Sequence, residues 1–440
     1  MPAARAGKKR PRAGARRAFH VEARKLSRQL AVRLVALVCL LGPFIFAAIL
    51  KVQSGSPTDT LYGVWVHSSG FAVSLVLLAF AGSWGIPLAA GVVAGDLFSA
   101  EDRYDTWKMV LTRACSRREL FAGKLAAAVL FVVALMALMT VASLAAGLLL
   151  VGDRSLVSLS GTLLSPGTAL ARLLAAWLVC VPPALAFTSL GLLLSITTRS
   201  GIVGVIGPAL AALTMQLLLL VGSGVWAHLL LVGSAFNAWH ALFEDDPFYG
   251  PLLIGITVSL AWTAVCLGVG WAVLRRRDFA GAPVPRRQGW LPPARAAVVI
   301  AAVIALLAIA SNWGLAGVTR ARLTADLTAN FNALTLLQQE ELGRLVPPGA
   351  KLNVRPRCSR RARAPEGPGD WVCTMNVYIP QPGAVPFEQV TVTYDVSVQS
   401  DGCYKAQSPP AFIGQQLMRD ASGRRVVNPL YTIYGCFDII

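Results

Sequence analysis

The residues best placed to do chemistry lie between Glu101 and Lys124, in the most charge-dense piece between two long uncharged runs. Glu101, Asp102, Arg103, Asp105 and Lys108 surround Trp107, and Ser116-Arg117-Arg118-Glu119 and Gly123-Lys124 follow. Mixed acids and bases around an aromatic suit docking in register against a partner. They do not make a catalytic constellation. There is no G-x4-G-K-[ST], because Gly123-Lys124 lacks the upstream glycine, and there is no H-E-x-x-H. His20, His67, His228 and His240 are scattered along the chain. His228 stands alone in an apolar run and reads as a packed side chain rather than an intramembrane functional group. Asp96 marks the edge of an apolar run. Carboxylates are nearly absent inside these runs, which argues against a proton- or ion-coupled pump. No catalytic residue and no metal site is assigned, and the chain is expected not to be an enzyme.

Cysteines supply the second signal. Cys39, Cys180 and Cys266 sit in apolar runs and Cys115 sits in the charged stretch, as small packed residues do. Cys358, Cys373, Cys403 and Cys436 cluster near the C-terminus. An even cluster in a polar domain predicts two disulfides and an oxidising compartment. The favoured pairing among three is Cys358 with Cys373 and Cys403 with Cys436. Zinc is disfavoured, since no C-x2-C pair occurs.

The elements that position these groups are membrane helices. The chain has 440 residues, of which 55% are hydrophobic and only 14% charged. Several uncharged runs exceed the ~18 residues that read as a span. Their apolar residues are continuous rather than alternating, which excludes a strand barrel. Spans are expected at 34–50 (interrupted by Gly42-Pro43), 71–95 (kinked near Gly85 and Pro87), 125–151, 173–196 (with Pro182-Pro183 inside), 202–221, 252–274 and 296–317. The uncharged region from Ile202 to Glu244 is too long for one helix and predicts a broken or re-entrant segment through His228 and His240.

Charge sets the expected orientation. Residues 1–33 carry eleven Lys and Arg against the lone acid Glu22, and 275–295 carry net +5. The opposite loops hold Asp153 with Arg154 and the acidic Glu244-Asp245-Asp246. The positive-inside rule puts the N-terminus in the cytoplasm and, with seven spans, the C-terminal domain outside. The net charge of +18 is thereby assigned to topology and anionic lipid rather than to nucleic acid. Residues 20–33 also have the makings of an interfacial amphipathic helix.

The expected organisation is a basic N-terminus (1–33), a six-span core (34–274) with a cytoplasmic loop at 96–124, a basic linker (275–295), a seventh helix (296–317) and a disulfide-containing α+β domain (318–440). In that domain Thr319–Leu345 has helical periodicity, Trp371–Ile379 and Phe387–Val398 alternate as strands do, and Gly402–Ala406 is a candidate third strand.

The loop resembles the first cytoplasmic loop of ABC-2 type permeases. There the second span runs into an acidic-x-x-x-G-T-hydrophobic pattern, then leucines, T-x-P-x-S-R and a basic residue opening the third span. Glu101, Thr106-Trp107, Leu111-Thr112-Arg113, Ser116-Arg117-Arg118-Glu119-Leu120 and Gly123-Lys124 match it. Asp105 stands where glycine is usual and Ala114 where proline is usual. The resemblance covers about residues 20–275, so the seventh span and C-terminal domain are additions to the usual core. It implies an all-α polytopic membrane protein with a small extra α+β domain. It also implies a permease, acting as an exporter, in the plasma membrane. ATP would be bound by a separate ATP-binding subunit, and a second permease copy or relative would complete the path. The ATPase-coupling residues it implies are Glu101, Asp105, Thr106, Trp107, Ser116, Arg117, Arg118, Glu119 and Lys124. The competing reading is a membrane-anchored sensor or assembly factor acting through its C-terminal domain.

Overall fold

The computed structural model describes residues 12–53, 60–107, 109, 116–220, 230–277, 317–344, 352–362, 365–379, 388–399 and 401–438. The expected seventh span, most of the basic linker, His228 and Cys115 lie outside these residues. A helix, α1 (Arg12–Arg28), precedes six helical segments long and apolar enough to cross a membrane. These are Leu30–Val52, Gly70–Ala94, Arg117–Leu150, Pro166–Thr198, Gly201–Leu218 and Gly250–Arg276, hereafter the first to sixth spans.

Each irregularity in the spans has a local cause. The first span does not break at Gly42-Pro43. Its helix runs unbroken from Leu30 to Val52 with Pro43 inside. Proline costs one backbone bond, which an apolar environment tolerates when the rest of the helix is intact. The second span widens into a π turn at Ala81–Gly85 before Pro87 restarts regular helix. The fourth span pauses at Cys180, where Pro182 and Pro183 open its second half. The third span has 34 residues, about 51 Å at 1.5 Å per residue. It therefore reaches beyond an ordinary hydrocarbon core, and its first two turns carry Arg117, Arg118, Glu119 and Lys124.

Small residues let the spans meet. A Cβ on Gly95 would lie 2.3 Å from the Gly204 carbonyl carbon, and one on Gly70 would lie 2.4 Å from the Gly147 oxygen. Glycine at both sides of each crossing brings the second span against the fifth and the third. Ser74 and Ser143 share a buried hydrogen bond of 2.8 Å, and the Trp177 indole donates to Ser74 at 3.3 Å.

The fifth span is followed, after the undescribed residues, by short helices at Val232–Ala235 and Ala238–Phe243. The C-terminal domain is a helix, Arg320–Glu341, laid on a five-stranded antiparallel sheet. The strands of that sheet are β3 (Asn353–Arg360), β4 (Gly369–Ile379), β5 (Glu388–Val398), β6 (Cys403–Gln407) and β9 (Thr432–Cys436), in the order β3-β4-β5-β6-β9. A β1–β2 hairpin (Leu156–Val157, Leu163–Leu164) joins the third and fourth spans, and β7 (Leu417–Arg419) pairs β8 (Arg425–Val427). Leu323, Leu327, Phe331, Leu334 and Leu337 are buried, facing Val392, Tyr394, Val396 and Val398, while Val390 is exposed at the sheet's margin. Cys358–Cys373 and Cys403–Cys436 are disulfides between residues directly opposed in register.

Candidate functional site

α1 folds back along the start of the third span. It presents a stripe of Gly14, Ala18, Glu22 and Leu26, one turn apart, and all four are buried. The approach is close: a Cβ on Gly123 would sit 2.6 Å from the Ala18 Cβ. One turn beyond this contact the only long polar groups of the stripe meet. Lys124, fully buried, donates to Glu22 Oε1 at 2.7 Å, to Glu101 Oε1 at 3.1 Å and to the Leu97 carbonyl at 2.6 Å. Lys25 reaches Glu101 from the solvent side at 3.3 Å, and the Thr106 hydroxyl donates to the other Glu101 oxygen. Burial pushes the Glu101 carboxyl up, but the charges of Lys124 and Lys25 and the Thr106 hydroxyl outweigh it and hold it at about 2. One lysine therefore ties α1, the 96–107 loop and the third span together.

A second tie brings in the sixth span. Asp102 accepts from the Trp107 indole at 3.0 Å and pairs with Arg277. Arg277 lies over the Trp107 ring at 5.4 Å, and Trp107 stacks on Phe98 with centroids 6.4 Å apart. Arg117 donates to the Arg275 carbonyl at 2.8 Å. The third span opens on a capping box: Ser116 Oγ accepts from the Glu119 amide at 3.3 Å, and Glu119 Oε2 accepts from the Ser116 amide at 2.8 Å.

The expected coupling residues thus divide by environment. Glu101, Trp107 and Lys124 are buried and face other parts of the same chain. Thr106 and Glu119 are half-buried, and Arg117 is held on the sixth span. Asp105, Ser116 and Arg118 are exposed. Asp105 has φ +49°, the left-handed region glycine enters freely and aspartate tolerates, which is why this position prefers glycine in the resembling pattern. Among the described residues of the loop, the apolar side chains turned outward are Tyr104, 68% exposed, and Met109, 52% exposed, rather than Trp107. Glu22 escaped the sequence reading as a site residue, although its isolation among eleven basic residues was the available signal.

At the other end of the bundle the C-terminal domain is docked. The Cys436 amide donates to Glu244 Oε1 at 2.6 Å, and Ser160 of the β1–β2 hairpin donates to Glu244 Oε2. Asp326 accepts from Tyr404 at 2.7 Å and from Asn330 at 3.2 Å. Burial, followed by the nearby Asp326 charge, raises the Glu244 carboxyl to about 8, against the opposing bonds from Ser160 and Cys436. Burial likewise raises Asp326 to about 6. Among the described residues, the one His, Cys and acid group tight enough for a metal is His240 with Cys403 and Cys436. There both sulfurs are bonded to each other.

Residues 18–207 match the model of a family described as ABC-2 family transporter protein. That stretch is similar to the family. The match begins within α1 and ends in the fifth span, so it includes the Glu22–Lys124–Glu101 cluster. The matched family is one of membrane transporter components. No curated protein matches the chain.

Proposed function

We propose that the protein is the membrane subunit of an ABC transporter and that a separate ATPase subunit docks on the tip formed by Tyr104, Asp105 and Met109. The observation that carries this reading is the buried ion cluster behind that tip. A push on the tip reaches α1 through Glu101 and Glu22, the third span through Lys124, and the sixth through Asp102 and Arg277. A solvated loop would need no buried lysine, whose desolvation is costly unless it is paired. The exposed Arg118 supplies polar register at the rim. ATP is bound and hydrolysed in the partner, and a second permease copy or relative completes the path.

The orientation supported by charge puts α1 and the tip in the cytoplasm and the C-terminal domain outside. Arg277 pairs at the end bearing α1, whereas Val318 is buried in the domain docked at the opposite end. A seventh crossing between them accounts for this, and the two disulfides fit an oxidising exterior. Export is the proposed direction, since the added domain caps the exit side.

Protease added to intact cells tests the topology. Cleavage within 318–440 without lysis is expected, and protection until lysis overturns it. The docking tip is tested separately by complex yield: Arg118→Glu with Asp105→Asn, which keeps a residue that tolerates the left-handed backbone, is expected to lower ATPase recovery without lowering thermal stability. Unchanged recovery counts against the tip.

A further inference from the structure

A cavity of about 610 Å³ runs between the second span, the Ala238–Phe243 segment and the margin of the C-terminal sheet. Its long wall comes from the second span, from Leu75 and Val76 to Ser83 and Trp84. Those nine residue steps cover about 14 Å, or roughly half of a ~30 Å hydrocarbon core. The wall includes the π turn at Ala81–Gly85, a distortion frequent at functional sites. Phe80 and Trp84 are about half exposed, so this flank opens sideways toward lipid. The upper end is different in chemistry. Gly369 and Asp370 of β4 and Ser397 of β5 form its roof, above Tyr62, Asn237 and Trp239. Tyr62 and Trp239 are each 1% exposed and stack with centroids 6.4 Å apart. The Tyr62 hydroxyl, the Trp239 indole N–H and the Thr60 hydroxyl, all of wall residues, have no hydrogen-bond partner. Buried polar groups are ordinarily satisfied, and an indole N–H can only donate. Among the described residues no Lys or Arg lines the cavity, and Asp370 is the one carboxylate there.

We propose that this cavity binds a neutral amphiphile, with an uncharged, hydroxyl-bearing head under the C-terminal domain and a single hydrocarbon chain along the second span. An anionic head would meet Asp370 and no cation. A hydroxyl-rich head both donates and accepts, as the Tyr62 hydroxyl and the Trp239 indole N–H require. A chain reaching Trp84 stays within one leaflet. The site is built jointly by the permease region and the added domain. Only the ligand's fate, transported or resident, rests on the permease reading; its binding does not.

The test uses the full chain in nanodiscs of phosphatidylethanolamine and phosphatidylglycerol, without the ATPase. Two photoreactive probes share one diazirine-bearing alkyl chain, and one carries a glucosyl head and the other a phosphate. The glucoside is expected to label residues 60–62 and 237–240 about tenfold more than the phosphate. Ala79→Trp, which fills the wall, is expected to abolish that labelling. Tyr62→Phe, which removes the hydroxyl at nearly constant volume, brings the two probes toward parity. A mass retained through purification in native mass spectrometry identifies a resident lipid, whereas an empty site filled only by the probe identifies a transient cargo. Equal labelling by both probes in the unaltered protein overturns the head-group assignment. Labelling that survives Ala79→Trp overturns the site. Absence of labelling together with oxidant-induced disulfides between two chains of a Trp84→Cys variant assigns this face to a second copy instead.

Discussion

Replacing Lys124 with methionine removes one charge and keeps the length of the side chain. The ammonium it deletes lies 2.7 Å from Glu22 and 3.1 Å from Glu101. Both carboxylates stay buried, at 5% and 6% exposure. Glu101 retains Lys25 and the Thr106 hydroxyl, but Glu22 loses its ion-pair partner. Orphaning one member of a buried pair costs about 3–5 kcal/mol. The Glu101 carboxyl gives an independent scale: holding it at about 2 rather than 4.5 corresponds to roughly 3 kcal/mol. The size of the pH response then separates the two proteins. A depressed carboxyl stabilises the fold above 4.5, and that contribution fades as pH falls toward about 2. Without Lys124 the Glu101 carboxyl loses the largest charge holding it down and rises, so Lys124→Met is expected to lose less stability than the unaltered protein as pH falls below about 4.5. Thermal unfolding of the purified chain across that range is the assay, with Glu22→Gln and the double variant completing a cycle. A coupling of at least about 1 kcal/mol is expected between the two sites. Additive losses, or a pH response parallel to that of the unaltered protein, refute the reasoning.

Glu244→Gln addresses the docked domain. A carboxyl raised to about 8 favours docking below 4.5, and this contribution is lost as pH climbs through 8, at about 1.4 kcal/mol per pH unit. Hydrogen exchange in β9, corrected for intrinsic rates, is expected to quicken with pH in the unaltered protein and to flatten in the variant; equal slopes contradict this. Removing the Cys358–Cys373 bridge, which spans 15 residues, or the Cys403–Cys436 bridge, which spans 33, is expected to cost about 3 and about 4 kcal/mol respectively in thermal unfolding of the domain. Gly95→Leu forces a side chain into the Gly204 backbone and is expected to lower the yield of folded protein severely, while Gly167→Leu, in open space, is harmless; equal yields refute the close crossing.

The spans were legible because a bilayer demands long apolar runs, and the charged loop because nothing else interrupts them. The pairing of Glu22 with Lys124 was not legible. Its partners are 102 residues apart in sequence, and the lone acid in a basic tail looked like topogenic noise. Trp107 read as an outward anchor, but an aromatic beside Asp102 with Arg277 over its ring is held inward by contacts that sequence spacing does not reveal. The cysteine pairing followed from proximity within one small domain. Strand β3 was missed because Arg355, Pro356 and Arg357 lack an apolar alternation, and only an edge strand admits a proline. The continuous helix through Pro43 shows the opposite failure, where a strong local signal yielded to an environment that leaves the backbone no other partner.

The most direct test of the coupling account is affinity purification of the tagged chain in mild detergent, alongside a variant carrying Tyr104→Arg, Asp105→Asn and Met109→Asp. The account predicts a stoichiometric ATPase subunit with the unaltered chain. It also predicts loss of that subunit with the variant, whose thermal stability stays within about 0.5 kcal/mol, as expected of exposed positions. Recovery of the chain alone, or equal ATPase recovery with both proteins, contradicts it.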